Sequence, residues 1–138
     1  MNKRLWIVFP VIFIMWNVLN FIVHTLLLGG EYQTEEMMKL WRPDMMQKMW
    51  IFYLNTFIQS FFFVLIFSKW YKGNGLLEGI QYGVYIGFLM TIGMAYSTYA
   101  MFPIPYSVAY KWFIFGMLHF IMLGVVTSLL FGKKQVKE

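Results

Sequence analysis

LWIVFPVIFIMWNVLNFIVHTLLL, residues 5–28, is an uninterrupted apolar run directly behind Lys3 and Arg4. A helix that crosses a bilayer needs about 20 largely apolar residues, and this run supplies them without a charged side chain. It is too long for a cleaved secretory signal, whose apolar core is about 7–15 residues and ends at a small-residue cleavage site. Here the run continues to Leu28 before meeting Gly29 and Gly30. The stretch is therefore read as the first span of a membrane protein.

The rest of the chain agrees. Of its 138 residues 60% are hydrophobic and 12% charged, against roughly a quarter charged in soluble domains. Three further apolar segments follow, giving helices at about 5–28, 45–68, 76–99 and 107–131 in a single transmembrane domain, with a polar outer loop at 29–44. Within that loop Thr34 precedes Glu35 and Glu36, which suits the start of a short amphipathic helix reaching about Leu40. Pro43 disfavours helix at Arg42, and Asp44 stands three residues before Gln47 in a capping-box-like start for the next helix. Gly73-Asn74-Gly75 makes a tight turn, and Phe102-Pro-Ile-Pro105 a stiff connection too short for anything but antiparallel neighbours. The expected fold is an all-α, antiparallel four-transmembrane-helix bundle.

If the helices alternate, Lys3, Arg4, Lys69, Lys72, Lys133, Lys134 and Lys137 share one side against Glu78 and Glu138. Lys39, Arg42, Lys48 and Lys111 lie on the other, against Glu31, Glu35, Glu36 and Asp44. Excess Lys and Arg marks the cytoplasmic face, so both termini are expected inside. The basic residues flank apolar runs and read as topology signals and headgroup contacts, not as a nucleic-acid surface.

Chemistry is sparse. The chain has no cysteine, which removes thiol redox, iron–sulfur ligation and thiolate zinc sites. Asn17, Asn20 and His24 lie three and four apart on one face of the first helix. With Asn55, Thr56, Gln59 and Ser60 of the second they are expected to form a polar outer half. The amides then either bond across the helix interface or, with Asn17, Asn20, His24, Asn55 and Gln59 as ligand-binding candidates, line an outward pocket for a small molecule. His24 and His119 are the only histidines; their depths differ by roughly 10–15 Å, too far for two axial positions of one haem. A haem held by one histidine and a methionine, or a quinone at His24, is the third alternative. Met37, Met38, Met45, Met46 and Met49 are weak candidates for Cu(I), and adaptable packing accounts for them as well. Gly79, Gly83 and Gly87, spaced by four, mark a face for close helix packing. Glu78, the one acid inside the apolar segments, is expected to reach the nearby interface. No acid, base and nucleophile can be placed together, so catalysis is not expected.

Asn20-Phe-Ile-Val-His24, Leu40-Trp-Arg-Pro43, the Gly83–Gly87 spacing and Tyr99 ahead of Pro103-Ile-Pro105 resemble small uncharacterised bacterial four-span inner-membrane proteins over nearly the whole chain. The resemblance implies a bacterial inner-membrane setting and carries no catalytic residues. The expected function is that of an interaction protein, an accessory or assembly subunit that meets other membrane subunits or copies of itself through the glycine face. On that expectation Gly83→Leu disrupts association.

Overall fold

The computed structural model describes residues 3–132; Lys133, Lys134, Lys137 and Glu138, counted above for orientation, lie outside them. The described residues are helical apart from short connections, without a strand. α1 (Lys3–Phe21) passes into a π-helical stretch, Ile22–Leu27, and two short helices follow, α2 (Gly29–Tyr32) and α3 (Glu35–Met38). A 3₁₀ turn, Met45–Lys48, leads into α4 (Met49–Trp70). α5 (Leu76–Ile92) passes through a second π-helical stretch, Gly93–Ser97, into α6 (Thr98–Met101), and α7 (Tyr106–Phe131) completes the order. Four of the resulting rods, Lys3–Leu27, Met45–Trp70, Leu76–Met101 and Tyr106–Phe131, are long and apolar enough to cross a membrane.

The core of this four-helix bundle is aromatic. Phe63 and Phe67 of α4 meet Tyr82 of α5 at ring-centroid distances of 4.8 and 5.1 Å, and Tyr82 donates to the Phe63 carbonyl at 2.6 Å. Trp16 of α1 closes this layer edge-on against Phe63 and Phe120, and Leu5, Val8, Ile12, Leu123 and Phe131 fill the interior toward the 71–75 turn. Edge-to-face pairs of this kind each contribute about 0.5–1.5 kcal/mol beyond the area they bury.

α5 and α7 approach most closely, and glycine is the reason. A Cβ built on Gly79 would stand 2.4 Å from the Gly124 carbonyl oxygen, and one on Gly83 2.5 Å from that of Phe120. Gly124 repeats the pattern from the other helix, at 2.2 Å from the Gly79 carbonyl oxygen. Gly79, Gly83 and Gly87, the expected helix-packing residues, lie against α7 of the same chain, whose backbone fills the space beside Gly79 and Gly83.

Candidate functional site

The two ends of the bundle are built differently. At the 71–75 turn, Gly73 and Gly75 have φ of 95° and 83°, a left-handed backbone that favours glycine. The three amides of Lys72, Gly73 and Asn74 converge on the Glu78 carboxylate at 2.5, 3.1 and 2.9 Å, and Ser128 donates to the Gly75 carbonyl at 2.6 Å. Glu78 is only 3% exposed. It does not reach outward as expected but folds back to hold the turn, since three backbone donors satisfy a buried carboxylate better than a strained path to water.

At the other end the 29–44 loop is a packed cap. Thr34 starts α3 as expected, its Oγ1 accepting from Met37 N at 3.4 Å. Met37 is buried against Ile104, Val108 and Ala109, with Tyr32, Leu40, Trp41 and Trp112 around them. Its thioether is thus a packing group, while Met38 and Met46 are well exposed, and no cluster of three or more His, Asp or Glu suited to a metal occurs among the described residues. Asp44 does not cap the following helix. Its carboxylate is taken by Arg42 at 2.6 Å and Lys48 at 3.4 Å, and the Arg42 guanidinium holds it below the usual carboxylate range.

Tyr32 ties the cap to the bundle. Trp112 Nε1 donates to its hydroxyl at 2.6 Å, and the same oxygen lies 2.7 Å from His24 Nδ1. With the indole donating, the hydroxyl hydrogen is left for Nδ1, which puts the imidazole proton on Nε2. Burial pushes the phenol up to about 12; the Trp112 bond opposes this and the Glu31 charge adds to it. Glu31 itself pairs with Lys111 of α7. His24 therefore faces the cap rather than α4, and the π-helical stretch that carries it, an irregularity without a sequence signal, turns it there.

The remaining polar candidates do not form the facing stripes anticipated. Asn17 spends its amide on the Phe13 carbonyl of its own helix at 2.8 Å, and Ser60 bonds Phe57 O in the same way. Among the described residues no side-chain hydrogen bond joins α1 to α4, and Asn20, Asn55 and Gln59 have no hydrogen-bond partner. His119, 7% exposed, lies edge-on to Trp16 at 5.4 Å, and its buried Nε2 has no hydrogen-bond partner among the described residues. Edge-on contact with an indole face is a recognised weak setting for a ring N–H.

The feature that sequence reading missed is on α4. Trp50, Ile51, Phe52, Tyr53, Leu54 and Asn55 are six consecutive exposed residues, Trp50 at 61% and Tyr53 at 55%. Successive helical residues turn by about 100°, so six of them sweep more than the full circumference. The first turns of α4 are thus exposed on every face among the described residues. Only from Thr56 onward do buried residues appear, at 56, 60, 63, 64 and 67. Uniformly apolar residues give no signal of which helix half is left uncovered. Comparison with family models, curated proteins and solved structures gives no match to this chain.

Proposed function

We propose that this chain is a small multi-pass membrane interaction protein, an accessory or assembly subunit whose partner covers the free half of α4. The observation that carries this is the exposed turn at residues 50–55 with the Asn55 amide in it, which has no hydrogen-bond partner among the described residues. In a bilayer Asn55 lies about 15 Å along the helix from Met45, close to the middle of a ~30 Å hydrocarbon layer. An amide there without a hydrogen bond costs several kcal/mol, and a neighbouring helix removes much of that cost. The glycine face is spent within the chain, and α4 is where an exposed amide, Asn55, stands among exposed apolar residues.

The antiparallel arrangement belongs to this reading. The pairing of Gly79 with Gly124, Gly83 with Phe120 and Thr91 with Gly116 supports it, since rising numbers on α5 meet falling numbers on α7. Cytoplasmic termini follow from the Lys and Arg distribution, and the bacterial inner membrane from the resemblance in residues 20–24, 40–43 and 99–105.

The test is the native mass of the complex extracted in mild detergent, for wild type and Asn55→Leu. Wild type is expected above the 16.5 kDa of one chain, and the variant as a single chain. Wild type emerging alone with a stoichiometric small molecule would overturn this reading in favour of ligand binding at Asn20, Asn55 and Gln59, and a haem or quinone spectrum would favour the redox alternative. A bare single chain would overturn all three.

A further inference from the structure

Charge is settled differently at the two ends of the bundle. At the cap end four cations, Lys39, Arg42, Lys48 and Lys111, stand with four acids, Glu31, Glu35, Glu36 and Asp44. Carboxylates hold three of those cations, Asp44 taking Arg42 and Lys48, and Glu31 taking Lys111. At the 71–75 end Lys3, Arg4, Lys69 and Lys72 are all exposed, while the acid beside them, Glu78, is buried. Its carboxylate is taken by the amides of Lys72, Gly73 and Asn74. Backbone donors satisfy that charge, so it is withheld from the lysine side chains. Lys3, Lys69 and Lys72 form no ion pair among the described residues.

The same end carries the rings that mark a membrane interface. Trp6 of α1 meets Phe61 of α4 at 6.2 Å, which places the first turns of α1 beside the second half of α4. A Cβ on Gly132, just past α7, would stand 3.7 Å from Arg4 Nη1. Trp6, one helical turn from Lys3, is exposed, and Trp70, next to Lys69, stacks on the exposed Tyr85 at 5.7 Å. Leu76 and Leu77, beyond the turn, are exposed as well. Amphipathic rings sit at the level of the headgroups, and lysine stems carry their ammonium groups outward from apolar surface. In a bilayer these cations therefore lie in the phosphate plane, with apolar surface below them for glycerol and acyl chains.

We propose that the 71–75 end binds anionic phospholipid, with Lys69 and Lys72 the principal contacts to its phosphodiester headgroup and Lys3 and Arg4 of α1 beside them, while the cap end is indifferent to headgroup charge. This rests on the reading of the chain as membrane-spanning and not on a partner at α4. Charge complementarity selects the lipid. The cations are carried by two helices and a turn at one level, and a layer of anionic headgroups meets all of them at once. Each cation near such a surface strengthens association about fivefold, and salt screens the effect.

The test is reconstitution of the purified chain in vesicles of equimolar phosphatidylglycerol and phosphatidylcholine, followed by extraction in mild detergent and analysis of the phospholipid retained. Wild type is expected to retain phosphatidylglycerol over phosphatidylcholine by more than about tenfold, and less at high salt. Lys69→Gln combined with Lys72→Gln is expected to cut that preference roughly tenfold, whereas Lys69→Arg with Lys72→Arg keeps it. Lys39→Gln with Lys48→Gln, an equal loss of charge at the cap end, should leave it unaltered. The Lys69 and Lys72 side chains make no hydrogen bond or ion pair among the described residues, so the unfolding midpoint of their glutamine variant should match wild type and exclude misfolding. Lipid retained in the proportions of the vesicle overturns the proposal, as does a preference that the Lys69 and Lys72 substitutions leave unchanged or that the cap substitutions remove equally. An acidic protein lost from the native complex of the same variant, with lipid retained in vesicle proportions, would replace the lipid by a protein partner. A chain recovered outside the vesicles would remove the membrane reading itself.

Discussion

Replacing Gly83 by alanine tests the packing logic of the bundle most directly. The new Cβ would lie 2.5 Å from the Phe120 carbonyl oxygen, 2.7 Å from Ile121 Cα and 3.0 Å from Phe120 C. All three are backbone atoms, so no rotamer change removes the clash. Ordinary contact begins near 3.4 Å, which requires α5 and α7 to separate by roughly 1 Å, a gap that forfeits a quarter to a half of the dispersion attraction at each affected contact. Overpacking of this kind costs about 1–3 kcal/mol. The neighbouring contacts at Gly79, Gly124 and Gly116 share the same helix pair, so the cost belongs toward the upper end. The assay is unfolding in mixed micelles titrated with a denaturing detergent, followed by tryptophan fluorescence. Gly93→Ala is the control, because a Cβ there meets nothing within 4 Å; its midpoint should be unchanged or slightly raised, by up to about 1 kcal/mol. Gly83→Ala with a wild-type midpoint would refute the reasoning. A complex that dissociates at an unaltered midpoint would return the glycine face to an intermolecular role.

Two further outcomes follow from the ends of the bundle. Glu78→Gln keeps the shape of the side chain but offers one acceptor oxygen to the amides of Lys72, Gly73 and Asn74; it should destabilise the chain by about 1.5–3 kcal/mol and speed hydrogen exchange at those amides, and unchanged exchange would contradict the assigned contacts. The Tyr32 phenol, raised by burial to about 12, should appear in the wild-type minus Tyr32→Phe ultraviolet titration near that value. Its folded pKa lies above the unfolded value of 10.0, so the unfolded chain releases this proton first, and stability should fall as pH rises between about 10 and 12. Trp112→Phe, by removing a donor that lowers the value, should move the transition higher still; a difference titration at 10 would show that the phenol is not buried.

How much of this was legible in residue order depends on whether a feature is a property of one segment or of two. Four helices long and apolar enough to cross a membrane, the α3 start at Thr34 and the turn at Gly73-Asn74-Gly75 are local, and length, hydropathy and backbone preference determine them. The glycine spacing at 79, 83 and 87 also announced close packing, because only a small residue admits a neighbouring backbone. What it did not contain was the identity of that neighbour. Lipid tails are as apolar as leucine, so hydrophobicity does not set helix rotation or pairing in a membrane bundle; the fit of particular surfaces does. For that reason only the tertiary structure decided that α7 takes the glycine face, that Glu78 turns inward to the 72–74 amides, and that His24 faces Tyr32 instead of α4. It likewise decided that Asn55 stands in a run of six exposed residues, 50–55, at the start of α4.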